Sequence, residues 1–319
     1  MNARALLFLA ACLTMVPPAA AATAPPPAGK SSAPSRRVAA TPFPIDSLLR
    51  EDHERARLIA PDFRSLVLLR RETEYAANQF RRYMGPAPPK IGIAALGSLV
   101  DPARVNVAQL KLAGYEHVLA DWPDRPGAAP ATPPGASSAA WQAQAPERIS
   151  RWFLLAFERE QGRGKPAEGR VRFVPDWFES GLAGLAAHPS EQNVRVAWMH
   201  KRMDQRIAMA KFLGMTRPAE THSAGKPRNS RPSAAGVGKG TTGASPSARL
   251  FDAQALSFSK FLSQREHERF LGLMLEKVLV GEPQLAAFGI AKNLLPHPDV
   301  LEKEWVAWVR EGAATAGAK

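Results

Sequence analysis

The stretch Val174–Pro189 reads VPDWFESGLAGLAAHP, and how it folds decides the architecture. Pro175 suits a first helical turn, whose N–H groups have no intrahelical partner anyway, and Pro189 stops continuation. The sequence between them predicts a helix, DWFESGLAGLAAH. Ser180, Ala183, Gly184 and Ala187 form a strip of small side chains along it, which would let the preceding helix approach closely.

That preceding segment, ERISRWFLLAFEREQ, is apolar all round from Trp152 to Phe157 with charges at both ends, the pattern of a buried central helix. A third helix is expected from Asn193 to Leu213, with Val196, Met199, Met203, Ile207 and Ala210 on one stripe. AQALSFSKFLSQ and HERFLGLMLEKVLVG predict a helical pair ending at Gly281. HPDVLEKEWVAWVREG places Asp299 and Glu302 at capping-box spacing, with Leu301, Trp305, Trp308 and Val309 on one face. The texture is different toward the N-terminus. FRSLVLLR, Phe63–Arg70, is a β-leaning run, and RETEYAANQFRRYMG, Arg71–Gly85, is a helix carrying Tyr75, Gln79 and Arg82 on its polar side. KIGIAAL and YEHVLADW, Tyr115–Trp122, are strand candidates. The expected fold class is α+β, with a strand-and-helix part followed by a mainly helical part.

Three Pro/Ala/Gly/Ser-rich segments punctuate this pattern and bury too little apolar surface to order themselves. The resulting organisation is 22–44 linker, 45–125 α/β part, 126–145 mobile insert, 146–215 helical part, 216–248 basic disordered linker and 249–312 C-terminal helices. No repeat of fixed period is visible. With 319 residues and 45% hydrophobic content, the chain is long enough for a sizeable core.

Residues 1–21 read as a secretory signal peptide: one arginine, an apolar run from Ala5 to Val16, then small residues from Ala19 to Ala22. The run is shorter than the roughly 20 residues a spanning helix needs. A periplasmic or secreted chain is expected. LAAC, Leu9–Cys12, has the form of a lipoprotein box, but the chain continues apolar after it, so lipid anchoring at Cys12 is the alternative. Cys12 is the only cysteine, which excludes disulfides and cysteine chemistry from the exported chain. The formal charge of +13 is unevenly placed, with six basic residues and one acidic residue between Thr216 and Arg249. Outside the cytoplasm such charge points to an anionic cell-envelope polymer or lipid headgroups as partner, or it is a solvated linker. No nucleic-acid signature accompanies it.

PDWFESGLA at Pro175–Ala183, SFSKFL at Ser257–Leu262 and LEKEW at Leu301–Trp305 occur in an order that resembles exported proteins of the peptidase MA-like (gluzincin) superfamily. The resemblance covers roughly residues 46–312. It implies a strand-and-helix part, a helix bearing H-E-x-x-H, and a following helix bearing P-x-W-L-x-E-G. Active members hold Zn²⁺ with two His from one helix face and a Glu from the next helix, and the motif Glu acts as general base. In this chain Pro175, Trp177 and Gly181 match the second motif, but the third-ligand position falls on Ser180 and Glu179 lies one residue away. The first motif falls on Arg151–Leu155, with Arg151, Trp152 and Leu155 at its positions and no histidine in the helix. The resemblance therefore implies a degenerate site that binds no zinc and no other cofactor, with Phe153, Leu154 and Leu155 helping to fill the core where relatives keep a wet groove.

Three functional classes stay open at this point. The first is an inactive peptidase-like protein that binds or scaffolds another envelope protein or polymer. The second is a hydrolase using Glu179 with a distant histidine, and the third is a module for wall polymer or anionic lipid. Glu179 itself reads as an Arg-paired or exposed structural carboxylate. His188 reads as a C-terminal cap on the Ser180 helix. The His-Glu pairs at His53 and His267 lack a second His four residues on and read as solvated helix faces. GVGKGTTG, Gly236–Gly243, lacks the preceding strand of a phosphate loop. Met199 and Met203 read as core, with His200 pointing away.

Overall fold

A computed structural model describes residues 45–96, 107–119, 138–162, 172–218 and 246–317 of the chain. The signal peptide with Cys12, the linker 22–44, residues 126–137 of the insert, and residues 219–245 with the GVGKGTTG run lie outside the described residues. The fold is α+β.

Leu49–Asp52 (β1) and Ala56–Ala60 (β2) pair antiparallel; Ile91–Ala95 (β3) runs parallel to β2, and His117–Leu119 (β4) parallel to β3. The order is β1-β2-β3-β4. Alternation splits the side chains between two faces. Leu58 and Ile93 enter the main core, while Ile59 and Ala94 join a smaller cluster with Leu48, Leu110 and Tyr115 on the opposite face. Val107–Leu112 (α2) supplies Leu110 to that second face.

Phe63–Met84 forms one helix, α1, so FRSLVLLR is helical rather than β-leaning. Two local causes override the reading. Asp62 accepts the Ser65 N–H at 2.9 Å and so caps the first turn. Leu66, Leu69, Thr73, Ala76, Phe80 and Met84 then continue one buried stripe through both halves. Gly85, at φ 91°, ends the helix with its N–H on the Arg81 carbonyl. His53 lies in the β1–β2 turn and His267 in a turn between helices, so neither stands on a helix face as expected.

The rest is helical: Ser138–Gln161 (α3), Asp176–Ala186 (α4), Pro189–His200 (α5), Met209–Gly214 (α6), Pro246–Arg265 (α7), Phe270–Leu279 (α8), Gln284–Ala287 (α9) and Pro298–Gly317 (α10). α3 starts inside the stretch read as insert and carries Pro146 within it. Thr216–Pro218 and Pro246–Ala248, at the ends of the stretch read as basic linker, belong to the ordered fold. The single helix expected from Asn193 to Leu213 is broken. Gln254 of α7 accepts the Ile207 N–H and donates to the Ile207 carbonyl, holding that residue out of helical pairing. Ala210, placed on the stripe, is exposed. Asp299 and Glu302 do not form a capping box: Glu302 reaches across to Arg206 and to the Met209 N–H, and so caps α6.

α4 and α7 cross closely. A Cβ on Gly181 would lie 2.0 Å from Ser259 Oγ, and one on Gly184 would lie 3.0 Å from Leu256 Cβ. Gly184, the one glycine of the small-residue strip, and Gly181 beside it therefore admit α7, where the strip was expected to admit α3. Trp177, Phe212, Phe251, Phe258, Phe270, Phe288 and Trp305 are buried around this crossing, and the main core runs from Ala56 to Val309. No helix among the described residues is long and apolar enough to cross a membrane.

Candidate functional site

The N-terminal half of α4 meets α3 in a lattice of half-buried charge. Glu147 and Arg151 sit one turn apart on the face of α3 turned toward α4, with Arg151 Nη2 3.3 Å from Glu147 Oε1. Arg151 Nη1 reaches Glu179 Oε1 of α4 at 3.2 Å. Arg172, in the segment before α4, pairs with the other Glu179 oxygen and with Glu158 of α3. Glu158 Oε1 also accepts the Phe173 and Val174 N–H groups, fixing the entry into α4. On the other side Arg195 of α5 lies 2.7 Å from Glu147 Oε2 and 2.9 Å from Glu191. Arg217 grips Asp252 of α7 through two bonds of 2.7 Å and donates its backbone N–H to Asp176. Arg151 thus stands at the centre, with Asp252 4.0 Å from it on a third side.

Electrostatics favours the charged forms of Glu147, Arg195 and Arg172. Burial opposes charge on Glu147, but the Arg195 and Arg151 guanidiniums more than offset it and hold the carboxyl below its ordinary range. Burial likewise opposes charge on Arg195 and Arg172; Glu147 raises the first above the ordinary arginine range, and Glu179 with Glu158 raises the second. A carboxylate whose oxygens already accept guanidinium N–H groups has little capacity left as a base or metal ligand. Paired charge therefore lies between these parts of α3 and α4. Phe153 and Leu154 are fully buried, whereas Leu155 is half-buried.

The expected motif positions are only partly brought together. Arg151 and Glu179 touch, as an Arg-paired Glu179 requires. Trp152 turns away and stacks on His117 of β4 at 4.6 Å, and burial pushes the His117 pKa down to about 4. The Pro175 carbonyl accepts the Phe178 and Glu179 N–H groups. Trp177 is buried and donates to Gln284 at 3.0 Å. Ser180 is 1% exposed and its Oγ has no hydrogen-bond partner among the described residues, while Gly181 lies against α7. His188 does not cap α4. It stacks on Tyr75 of α1, with Nε2 3.1 Å from the buried Glu72 carboxylate.

Sequence reasoning missed Glu147, Glu158, Arg172, Arg195, Arg217 and Asp252. Only Glu147/Arg151 and Glu191/Arg195 carry a local signal, the i,i+4 spacing of opposite charges; the others meet through the fold. No group of three His, Cys, Asp or Glu residues among those described is arranged to hold a metal ion. A cleft of about 220 Å³ lies elsewhere, between Phe173 and the α8–α9 turn. Its polar groups are engaged: Gln284 with Trp177 and the Leu213 carbonyl, Glu282 with Lys277. No protein-family model matches the chain, and no curated protein matches it.

Proposed function

We propose that this chain is an exported, catalytically inactive metallopeptidase-like protein that binds or scaffolds in the cell envelope. The relation to the gluzincin superfamily rests on the resemblance of PDWFESGLA, SFSKFL and LEKEW, and export on residues 1–21. The observation that carries the reading is the Arg151–Glu179 bridge between α3 and α4. A catalytic zinc needs about three protein ligands and an open position for water. The matching positions offer Arg151, Leu155 and Ser180: a cation already bonded to carboxylates, a side chain with no lone pair, and a neutral buried hydroxyl. The rival hydrolase built on Glu179 is disfavoured because both of its oxygens accept from arginine.

The test is elemental analysis of protein purified without chelator, alongside a casein or peptide-library assay. Substoichiometric zinc and no chelator-sensitive cleavage are expected. Ser180→Glu should create no activity and should destabilise by about 1–3 kcal/mol, because its carboxylate enters a buried site without a partner. Near-stoichiometric zinc, or cleavage that survives repurification, would overturn the reading.

A further inference from the structure

Arg202 and Arg249 differ from the arginines of the charge lattice in lying over an aromatic ring. Arg202, just past the end of α5, and Arg249, in the first turns of α7, both lie over the ring of Trp198, with guanidinium carbons 4.3 and 4.8 Å from its centroid. The two charges therefore sit within about 9 Å of each other, the sum of those distances. That is close to the Debye length of about 8 Å at physiological salt, so water and ions screen their repulsion only in part. Among the described residues neither has a carboxylate within 4.0 Å. Lys201, exposed, adds a third cation beside the half-buried Arg202 and the exposed Arg249, against one exposed acid, Asp204, on the turn that follows.

On the same face the indole of Trp198 is half-buried against the main core, and the exposed apolar side chain beside it is Val194. Val194 stands one turn before Trp198 on α5 and is 59% exposed. Guanidiniums held apart on an indole match phosphate oxygens, and an indole with a neighbouring aliphatic side chain matches the headgroup–acyl boundary. A soluble phosphate polymer would use the arginines and leave Val194 in water. We infer that Val194, Trp198, Arg202 and Arg249 form a docking site for an anionic phospholipid surface, with the α5–α7 face laid on the bilayer. The site is separate from the α3–α4 lattice and stands whether or not that lattice is catalytically inert.

The experiment is co-sedimentation of the full chain with vesicles of phosphatidylcholine alone or with about a third phosphatidylglycerol, at physiological salt. Binding to the anionic vesicles and not to the neutral ones is expected. Arg202→Gln with Arg249→Gln should weaken it by about tenfold or more, since each basic residue at such a surface is worth roughly fivefold. Arg202→Lys with Arg249→Lys, which keeps the charge, should stay within about threefold of the parent and decides the matter if the Gln pair melts early. Val194→Ser with Trp198→Phe should weaken binding at unchanged net charge. Three results would each overturn the proposal: equal binding to neutral vesicles, undiminished binding of the Gln pair, or full competition by inorganic polyphosphate with no loss in the Val194/Trp198 variant.

Discussion

Arg151→Met removes the centre of the charge lattice while keeping an unbranched stem of similar length, which makes it the sharpest test of what holds α3 to α4. Removing one partner from a buried ion pair typically costs about 3–5 kcal/mol, because the other charge stays desolvated. Here the magnitude is smaller for two structural reasons. Glu147 retains Arg195 and Glu179 retains Arg172, and the side chains keep slight exposure, 19% at Arg151 and 15% at Glu179. The expected destabilisation at pH 7 is roughly 1.5–3 kcal/mol, read from the shift of the urea midpoint at unchanged slope. The pH dependence adds a second readout. Glu147 has a folded pKa below its ordinary 4.5, so its pairing contributes stability above that pH and loses it as pH falls through the folded value. The gap between parent and variant should therefore be full near neutrality and should narrow as pH drops below 4.5. A change under about 0.5 kcal/mol at pH 7, or a gap that persists undiminished in acid, would refute the view that these charges bind the helices together.

Three further outcomes follow from particular contacts. Gly92→Ala would place a Cβ 1.7 Å from the Gly114 carbonyl oxygen, backbone against backbone, so a loss of about 3 kcal/mol or more is expected in urea unfolding. Glu302→Ala removes both the Arg206 pair and the cap on Met209, and should destabilise by about 1–2 kcal/mol; native stability would show that α6 needs no such anchor. His117 should titrate near pH 4 in an NMR experiment and move back toward 6.5 in Trp152→Ala. Because the unfolded chain takes up that proton first, stability should decline as pH falls from 6.5 toward 4.

Much of the helical part was legible because its signals are local. Pro175 and Pro189 bound α4, Gly85 and Gly281 end helices with positive φ, and the Leu301–Trp305–Val309 stripe is buried as its spacing predicts. The β1–β2 hairpin was not legible. β1 reads LRED and is largely exposed, so it lacks the apolar alternation that marks a strand, and its pairing with β2 supplies what its own residues do not. The break after α5 was hidden for the same kind of reason, since the residue that enforces it, Gln254, lies 47 positions along the chain. The site was half legible: an arginine partner was one of two readings of Glu179, the other being exposure, and which arginines arrive depends on where α3 and the segment before α4 come together.

That convergence also explains why paired charge stands between α3 and α4. Phe153 and Leu154 do point into the core, but Glu147 and Arg151 of the same helix face α4, α5 and α7 at once, each bringing a charge of its own. Leucine at position 151 would leave Glu147 and Glu179 with one guanidinium each, whereas arginine there bridges both and faces Asp252 as well. A planar fork with five donors can serve several acceptors in fixed directions, which a lysine cannot do. The lattice therefore sets the separation and rotation of α3, α4, α5 and α7 through directed bonds.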